Sequence, residues 1–257
     1  MRYLFILIFI LTSLLAIAAT PKYEEAGMTV FENPSDVSNS FLYFFAIILF
    51  TIFILIVARW EKLIVAIIYS LTFISIFYIL SPFVGVFSVI IAGLIIILLR
   101  RPNWIVINVS ALLLAAGISS MFGISLEPLP VIILLLILAV YDAVSVYKTK
   151  HMITLAESIT KIKAPLLFVI PRKDGDAYMG VGDVVIPNIL VVSAQKFTNS
   201  PEIFSIKISA LLTLIGGALG LTFLLILIEK RGGAHPGLPY INLGSVLGFL
   251  LSGLLTL

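Results

Sequence analysis

The apolar residues of this 257-residue chain are gathered into nine blocks, separated by breaks that are mostly short. Each block has roughly the 17–22 residues that an α-helix needs to cross the hydrocarbon core of a bilayer. Only 11% of the residues are charged, against about 25% in a typical soluble protein. The sequence therefore predicts an all-α polytopic membrane protein of nine transmembrane helices. The predicted spans cover residues 3–19, 41–58, 63–80, 83–99, 104–122, 129–147, 178–194, 205–228 and 238–256.

The Lys and Arg residues are distributed unevenly between alternate breaks. If the amino terminus is inside, thirteen of the 16 basic residues lie in inside segments. Cytoplasmic segments of membrane proteins carry such an excess of Lys and Arg. We therefore expect a multi-pass protein of the cell membrane, with its amino terminus and the 148–177 loop in the cytoplasm and its carboxyl terminus outside. The inside residues are Arg2, Arg59, Lys62, Arg100, Arg101, Lys148, Lys150, Lys161, Lys163, Arg172, Lys173, Lys230 and Arg231; the outside ones are Lys22, Lys196 and Lys207.

The first apolar block has two interpretations. Arg2, an apolar run and Ala16-Ile17-Ala18-Ala19 resemble a cleavable signal peptide. We favour a retained helix, because the run of 17 residues is slightly long for a signal peptide. Cleavage would leave eight spans and would not change the orientation of the others.

Two carboxyl groups interrupt the apolar blocks. Asp142 lies in the sixth span, and Asp183 lies in the seventh, within Gly180-Val181-Gly182-Asp183. A charged residue at the bilayer centre costs about 2.5–3.5 kcal/mol on insertion scales, so such residues usually have a function. Counted from the cytoplasmic ends of their spans, both carboxyls lie roughly 8–10 Å deep at 1.5 Å per residue. We therefore predict that Asp142 and Asp183 share one site.

Such a pair of carboxyl groups can hydrolyse a peptide bond. At short range the two groups share one proton, because both cannot be ionised together, and they titrate as one unit. The ionised group then acts as a base on water while the protonated group polarises the peptide carbonyl. This predicts an aspartic endopeptidase that needs no metal and no organic cofactor.

The same carboxyls leave a second function open, that of an ion- or proton-coupled transporter or channel. Other classes are less compatible with the sequence. The chain has no cysteine, which excludes thiol catalysis. Its basic residues are scattered among short loops, so nucleic-acid binding has no support.

Tyr141-Asp142, Gly180-Val181-Gly182-Asp183 and nine spans together resemble the presenilin and signal peptide peptidase family of intramembrane aspartyl proteases. The resemblance runs from residue 129 to residue 194, with the last span adding to it, and fits a microbial, archaeal member. It implies hydrolysis of peptide bonds within transmembrane segments of membrane proteins or signal peptides. It also implies that Asp142 and Asp183 are catalytic, with Tyr141, Gly180 and Gly182 in support.

The resemblance also implies an organisation and partners. Residues 1–122 would form an N-terminal helical bundle, and residues 123–257 would hold the catalytic helices and the cytoplasmic loop 148–177, in one integral membrane unit. The partners would be transmembrane helical peptides and the lipid bilayer. The sequence leaves open whether the chain forms a homo-oligomer.

A third motif of the family, Pro-Ala-Leu at the start of the last span, is only partly present. The matching residues are Pro239, Tyr240 and Ile241, of which the proline alone agrees with the family pattern. By resemblance these three residues would support the active site. The other interpretation is a proline in the first turn of a helix, where proline is normally tolerated.

The cytoplasmic loop contains two apolar stretches. Residues 152–162 have apolar positions at helical spacing, which predicts a helix on the membrane surface. Leu167, Phe168 and Val169 belong to a short β-prone run between two prolines. A protease needs an extended scissile bond, and we therefore predict that this run binds an unwound substrate as an added strand. The alternative is an apolar segment packed on the bundle.

Small and amide residues predict close contacts between spans. Gly216-x-x-x-Gly220 and Gly244-x-x-x-Gly248 have the spacing of tightly packed membrane helices. Three asparagines lie within spans, and we expect them to form hydrogen bonds between helices. These residues are Asn108, Asn188 and Asn242.

Overall fold

The computed structural model of the chain describes residues 2–100, 103–149, 166–172, 175–231 and 235–255. These residues form nine α-helices, of which six are long and apolar enough to cross a membrane. The helical membrane fold predicted from the sequence is therefore confirmed. The helices are α1 (Arg2–Glu25), α2 (Ser38–Val57), α3 (Glu61–Val84), α4 (Phe87–Leu99), α5 (Trp104–Gly123), α6 (Pro128–Val144), α7 (Val181–Phe197), α8 (Ile208–Arg231) and α9 (Leu238–Leu255).

Two short antiparallel hairpins are added to the helices. Strand β1 (Leu167–Ile170) pairs with β2 (Ala177–Gly180), and β3 (Glu202–Ile203) pairs with β4 (Ile206–Lys207). The predicted start of the seventh span at residue 178 is wrong, because residues 177–180 are extended. Gly180 pairs with Leu167 and caps the helix that begins at Val181. The predicted surface helix at 152–162 lies outside the described residues.

The break expected at Ser81-Pro82 lies further along the chain. Pro82 is inside α3, which continues to Val84 and ends where Gly85 adopts a φ of 56°. A proline in a helix leaves the carbonyl four residues earlier without its usual donor. Here the Ser81 hydroxyl donates to the Tyr78 carbonyl oxygen at 2.9 Å, so the helix tolerates the proline.

Helix α7 lies at the centre of the bundle. Every residue from 184 to 194 is buried, as expected for a helix that packs against neighbours on all sides. It contacts α1, α5, α6, α8 and α9. Its Asn188 side chain accepts a hydrogen bond from Ser13 on α1, and Ser193 donates to the Leu126 carbonyl oxygen at 2.6 Å. These bonds fix the helix that carries Asp183.

The predicted close contact between the last two helices is confirmed. A Cβ built on Gly216 would lie 2.2 Å from the Gly244 carbonyl oxygen, and one on Gly220 would lie 2.3 Å from the Tyr240 carbonyl oxygen. The backbones of α8 and α9 therefore touch along their length. The amide of Asn242 donates to the Leu135 carbonyl oxygen at 2.9 Å and ties α9 to α6. Together these contacts set where α9 begins.

Candidate active site

Asp183 lies at the third residue of α7, immediately after β2. The main chain of Gly180, the residue that caps the helix, forms a hydrogen bond with the Asp183 carboxylate. This is the carboxylate half of a capping box, which is common at helix starts. Gly182 is exposed, and among the described residues outside its own helical turn no atom lies within 4 Å of the position that a Cβ there would occupy. The carboxyl group is thus held by the main chain at the start of its own helix.

Asp142 lies near the end of α6 and is 5% exposed. Its Oδ2 atom accepts a hydrogen bond of 3.1 Å from the main-chain N–H of Leu238, the first residue of α9. The main chain of Gly237 forms a further hydrogen bond with the same carboxyl group. The exposed N–H groups at a helix start are a natural binding site for a carboxylate. Asp142 therefore has partners even though no cation lies near it in sequence.

The start of α9 brings the two aspartates together. Gly237 contacts Asp142 through its main chain, and a Cβ built on Gly237 would lie only 2.9 Å from Cγ of Asp183. The two carboxyl groups also interact electrostatically. Both therefore line one site at the turn that precedes Leu238.

The contacts between the start of α9 and Asp142 involve the two residues that precede the predicted third motif, and the supporting role of Pro239, Tyr240 and Ile241 stays a prediction. The main chains of Gly237 and Leu238, which are not among the residues predicted from the sequence, bond the Asp142 carboxyl group. Ile241 is fully buried in the core and Tyr240 packs at 5.6 Å from the ring of Phe223 on α8. Pro239 is half-buried in the first turn of α9. A glycine two residues before a proline at a helix start is the one sequence signal that could have indicated this contact.

Tyr141 packs against a helix of the N-terminal half. Its ring packs edge-to-face against Phe44 on α2, with 5.9 Å between the ring centroids. This contact packs α6 against α2 at the residue that precedes Asp142.

The β1–β2 hairpin leads directly into Asp183. Phe168 is fully buried and Val169 is 8% exposed, whereas Leu167 is half-buried. The outer edge of β1 at Val169 is occupied by the side chain of Asn108 on α5. The outer edge of β2 has no strand partner among the described residues.

A cavity of about 320 Å³ adjoins the hairpin. It lies between α2, α3 and α5, and its walls are mainly apolar. Leu166 and Val181, which flank the two strands, form part of its lining together with Phe50, Thr51 and Thr72. The cavity therefore reaches from the helices of the N-terminal half towards the strand that precedes Asp183. Among the described residues, no group of three or more acidic or histidine side chains could hold a metal ion.

Comparisons of the sequence and of the structure with known proteins lead to the same family. A family described as "Signal-peptide peptidase, presenilin aspartyl protease" matches residues 6–256. Two solved structures, each described as a presenilin family intramembrane aspartate protease, are similar to the chain at 34% sequence identity. The first has a TM-score of 0.80 and the match covers 99% of both chains. The second has a TM-score of 0.75, with 97% of this chain and 96% of that chain covered.

Proposed function

The chain belongs to the signal peptide peptidase and presenilin family of aspartyl proteases, and we propose that Asp142 and Asp183 are the catalytic residues of this intramembrane protease. The observation that carries the proposal is the position of Gly237, which touches both carboxyl groups. The comparisons favour the protease and give no support to the transporter alternative. The enzyme acts on transmembrane substrates within the membrane.

The two carboxyls divide the chemistry between them. The ionised one takes a proton from water as the water oxygen bonds the peptide carbon, and the protonated one gives its proton to the carbonyl oxygen. When the resulting diol collapses, the C–N bond breaks and the nitrogen takes up the proton from the first carboxyl. The second carboxyl recovers its proton from a diol hydroxyl. The pair thus returns to its starting state with one water consumed.

The substrate pairs with β2 as an added strand. The sequence predicts this role for Leu167, Phe168 and Val169 on β1, and their direct contact with substrate stays a prediction. Because Asn108 occupies the outer edge of β1 at Val169, the edge available to a substrate strand is that of β2. A strand there would lie beside Gly180 and would present its extended peptide bonds near Asp183.

The helical part of the substrate lies against the cavity between α2, α3 and α5. The lining is mainly apolar, which suits a membrane-spanning helix, and it extends to Val181 at the start of α7. A substrate helix in this position would have to unwind only where it reaches β2.

The remaining expectations stay proposals. The uneven distribution of Lys and Arg supports nine spans in the cell membrane with a cytoplasmic amino terminus and an external carboxyl terminus. On that orientation the site opens to the cytoplasmic side, and α9 begins there. The division at residues 122 and 123, the independence from cofactors and from nucleic acid, and the state of self-association stay predictions.

Cleavage of a single-span substrate in liposomes tests the catalytic assignment. Asp142→Asn and Asp183→Asn each remove one carboxyl and nearly preserve its shape, so each should abolish hydrolysis. Asp36→Asn is the matched control, because Asp36 lies outside the spans and accepts a hydrogen bond from Ser38. Hydrolysis at the parental rate by either of the first two variants would overturn the pair.

A further inference from the structure

Asn108 is predicted from the sequence to bond another helix, but it bonds a strand instead. It lies on α5 and is half-buried. Its Nδ2 donates to the Val169 carbonyl oxygen at 2.7 Å, and its Oδ1 accepts from the Val169 N–H at 2.8 Å. A side-chain amide that meets both main-chain groups of one residue reproduces the pairing that a neighbouring strand would make. Asn108 therefore acts as a third partner of the β1–β2 hairpin.

The hairpin needs such a partner to have a fixed position. Its strands have four residues each, and an isolated two-stranded hairpin is only marginally stable. Helix α5, by contrast, is rigidly packed, with Ile107 and Ala111 buried on either side of Asn108. The Val169 side chain packs against Leu99 and Ile107 in a small apolar cluster. Asn108 thus anchors the marginally stable β1–β2 hairpin to the rigidly packed helix α5.

The bonds to Asn108 also determine which main-chain groups face the substrate. In an antiparallel pair, successive residues direct their N–H and C=O groups alternately towards the partner and away from it. Val169 is opposite Tyr178, and its groups point away from β2 towards Asn108. The N–H and C=O groups of Tyr178 therefore point away from β1, to the free edge. Asn108, Val169 and Tyr178 form one row that ends at this edge, five residues before Asp183.

We propose that Asn108 is a positioning residue for cleavage, which fixes the row of main-chain groups that selects the scissile bond. The proposal rests on the function proposed above, in which the substrate strand pairs with β2. If the anchor is lost, the hairpin can shift, and the substrate strand then presents neighbouring peptide bonds to the two aspartates. Both the rate and the position of cleavage should change.

The test compares Asn108→Leu with the parent enzyme on one single-span substrate. Leucine has a similar size and forms neither bond with Val169. We expect kcat to fall by about tenfold or more, the effect of losing one or two hydrogen bonds, while KM changes less. Mass spectrometry of the products should show cleavage spread over adjacent peptide bonds. A purely structural role would lower the amount of folded enzyme and leave the cleavage position unchanged.

The control is Ser110→Ala on the same helix. The Ser110 hydroxyl bonds only the Val106 carbonyl oxygen within α5 among the described contacts, so its loss should leave kcat and the products as in the parent. Should Asn108→Leu not fold, the nearly isosteric Asn108→Asp keeps the acceptor for the Val169 N–H but loses the donor to the carbonyl oxygen. It should show the same spread of products with a smaller loss of rate.

Parental kcat and a single parental cleavage position in both Asn108 variants would overturn the proposal. So would a loss of rate that matches the loss of folded protein with no change in products. Failure of the function on which the proposal rests is recognised separately, whatever the Asn108 variants do. If the substrate did not pair with β2, Tyr178→Pro, which removes one N–H from the free edge, would cleave like the parent. If Asp142 and Asp183 were not the catalytic pair, Asp142→Asn or Asp183→Asn would still cleave.

Discussion

Helices α7 and α2 differ in how completely the protein surrounds them. In α7 every residue from 184 to 194 is buried, and hydrogen bonds from α1 and to the α5–α6 connection hold it in place. In α2 only three of the 20 residues are buried, Ser40, Ile54 and Val57. The helix that carries Asp183 is thus fixed by its neighbours on all sides. Helix α2, one of the three helices that border the cavity, has buried residues at few positions.

The difference corresponds to two tasks of the enzyme. Catalytic groups must be held within a fraction of an ångström, which requires rigid surroundings. A substrate helix must come in from the bilayer, which requires helices that can be displaced at low cost. Substitutions near α7 and the start of α9 should therefore affect kcat and stability. Substitutions along the cavity should affect KM.

Apart from the loss of an aspartate, the largest effect is expected from Gly237→Ala. The new Cβ would lie 2.9 Å from Cγ of Asp183 and would displace its carboxyl group. A misplacement of about 1 Å can reduce the rate by about a hundredfold. We expect kcat to fall by about that factor, with KM nearly unchanged and the folded protein recovered normally. Gly93→Ala on α4 is the control, because no atom of the described residues outside its own helical turn lies within 4 Å of the added Cβ. Full activity of Gly237→Ala would contradict the close approach of α9 to Asp183.

The next effect is on the free energy of unfolding, and it compares α7 with α3, a second helix that borders the cavity. Ile189 on α7 is fully buried, whereas Ile74 on α3 is 56% exposed. Truncation of a buried isoleucine costs about 2–5 kcal/mol, and truncation at the surface usually changes stability by less than about 0.5 kcal/mol. Unfolding of Ile189→Ala and Ile74→Ala in SDS-containing mixed micelles measures both. Equal losses would show that the outer helices are packed as firmly as α7.

The two helices that carry the aspartates can largely be predicted from the sequence, because helix length and side-chain polarity are local properties. The blocks around Asp142 and Asp183 are long and apolar, and they predict two spans that carry one carboxyl each. The contacts of Gly237 and Leu238 could not be predicted in the same way. Their contacts use main-chain N–H groups, which every residue but proline has, so only the folded chain shows which ones meet Asp142.

Only the first strand of the β1–β2 hairpin could be predicted from the sequence. The run from Leu167 to Val169 is β-prone and bounded by prolines, which indicates a strand. Its partner Ala177–Gly180 adjoins an apolar helix and has no signal that separates it from that helix. Asn108 lies within a span, and the sequence therefore predicts a bond to another helix. A side-chain amide can bond any main-chain group within reach, so the sequence does not show which group it bonds. Its partner on Val169 depends on where the hairpin folds.

A smaller effect is expected from Tyr178→Pro on β2. Proline has no N–H, so the substrate strand would lose one hydrogen bond at the free edge. Loss of one such bond corresponds to about a fivefold to tenfold decrease in kcat/KM. Tyr178→Phe is the control, because it removes only the hydroxyl that lies 3.5 Å from the Asp176 carboxylate. If both variants cleave like the parent, the substrate does not pair with β2.

The smallest effect is expected in the cavity. Phe50 lines it from α2 and is 50% exposed, whereas its neighbour Leu49 is 70% exposed and does not line it. Phe50 makes the same contacts with substrate before and during the reaction, so its loss should raise KM by about threefold and leave kcat unchanged. Leu49→Ala should leave both constants at parental values. An equal rise in KM for both variants would assign the effect to the lipid-facing surface of α2. A decrease in kcat for Phe50→Ala would instead mean that α2 helps to place the scissile bond, so that the outer helices share the positioning task with α7.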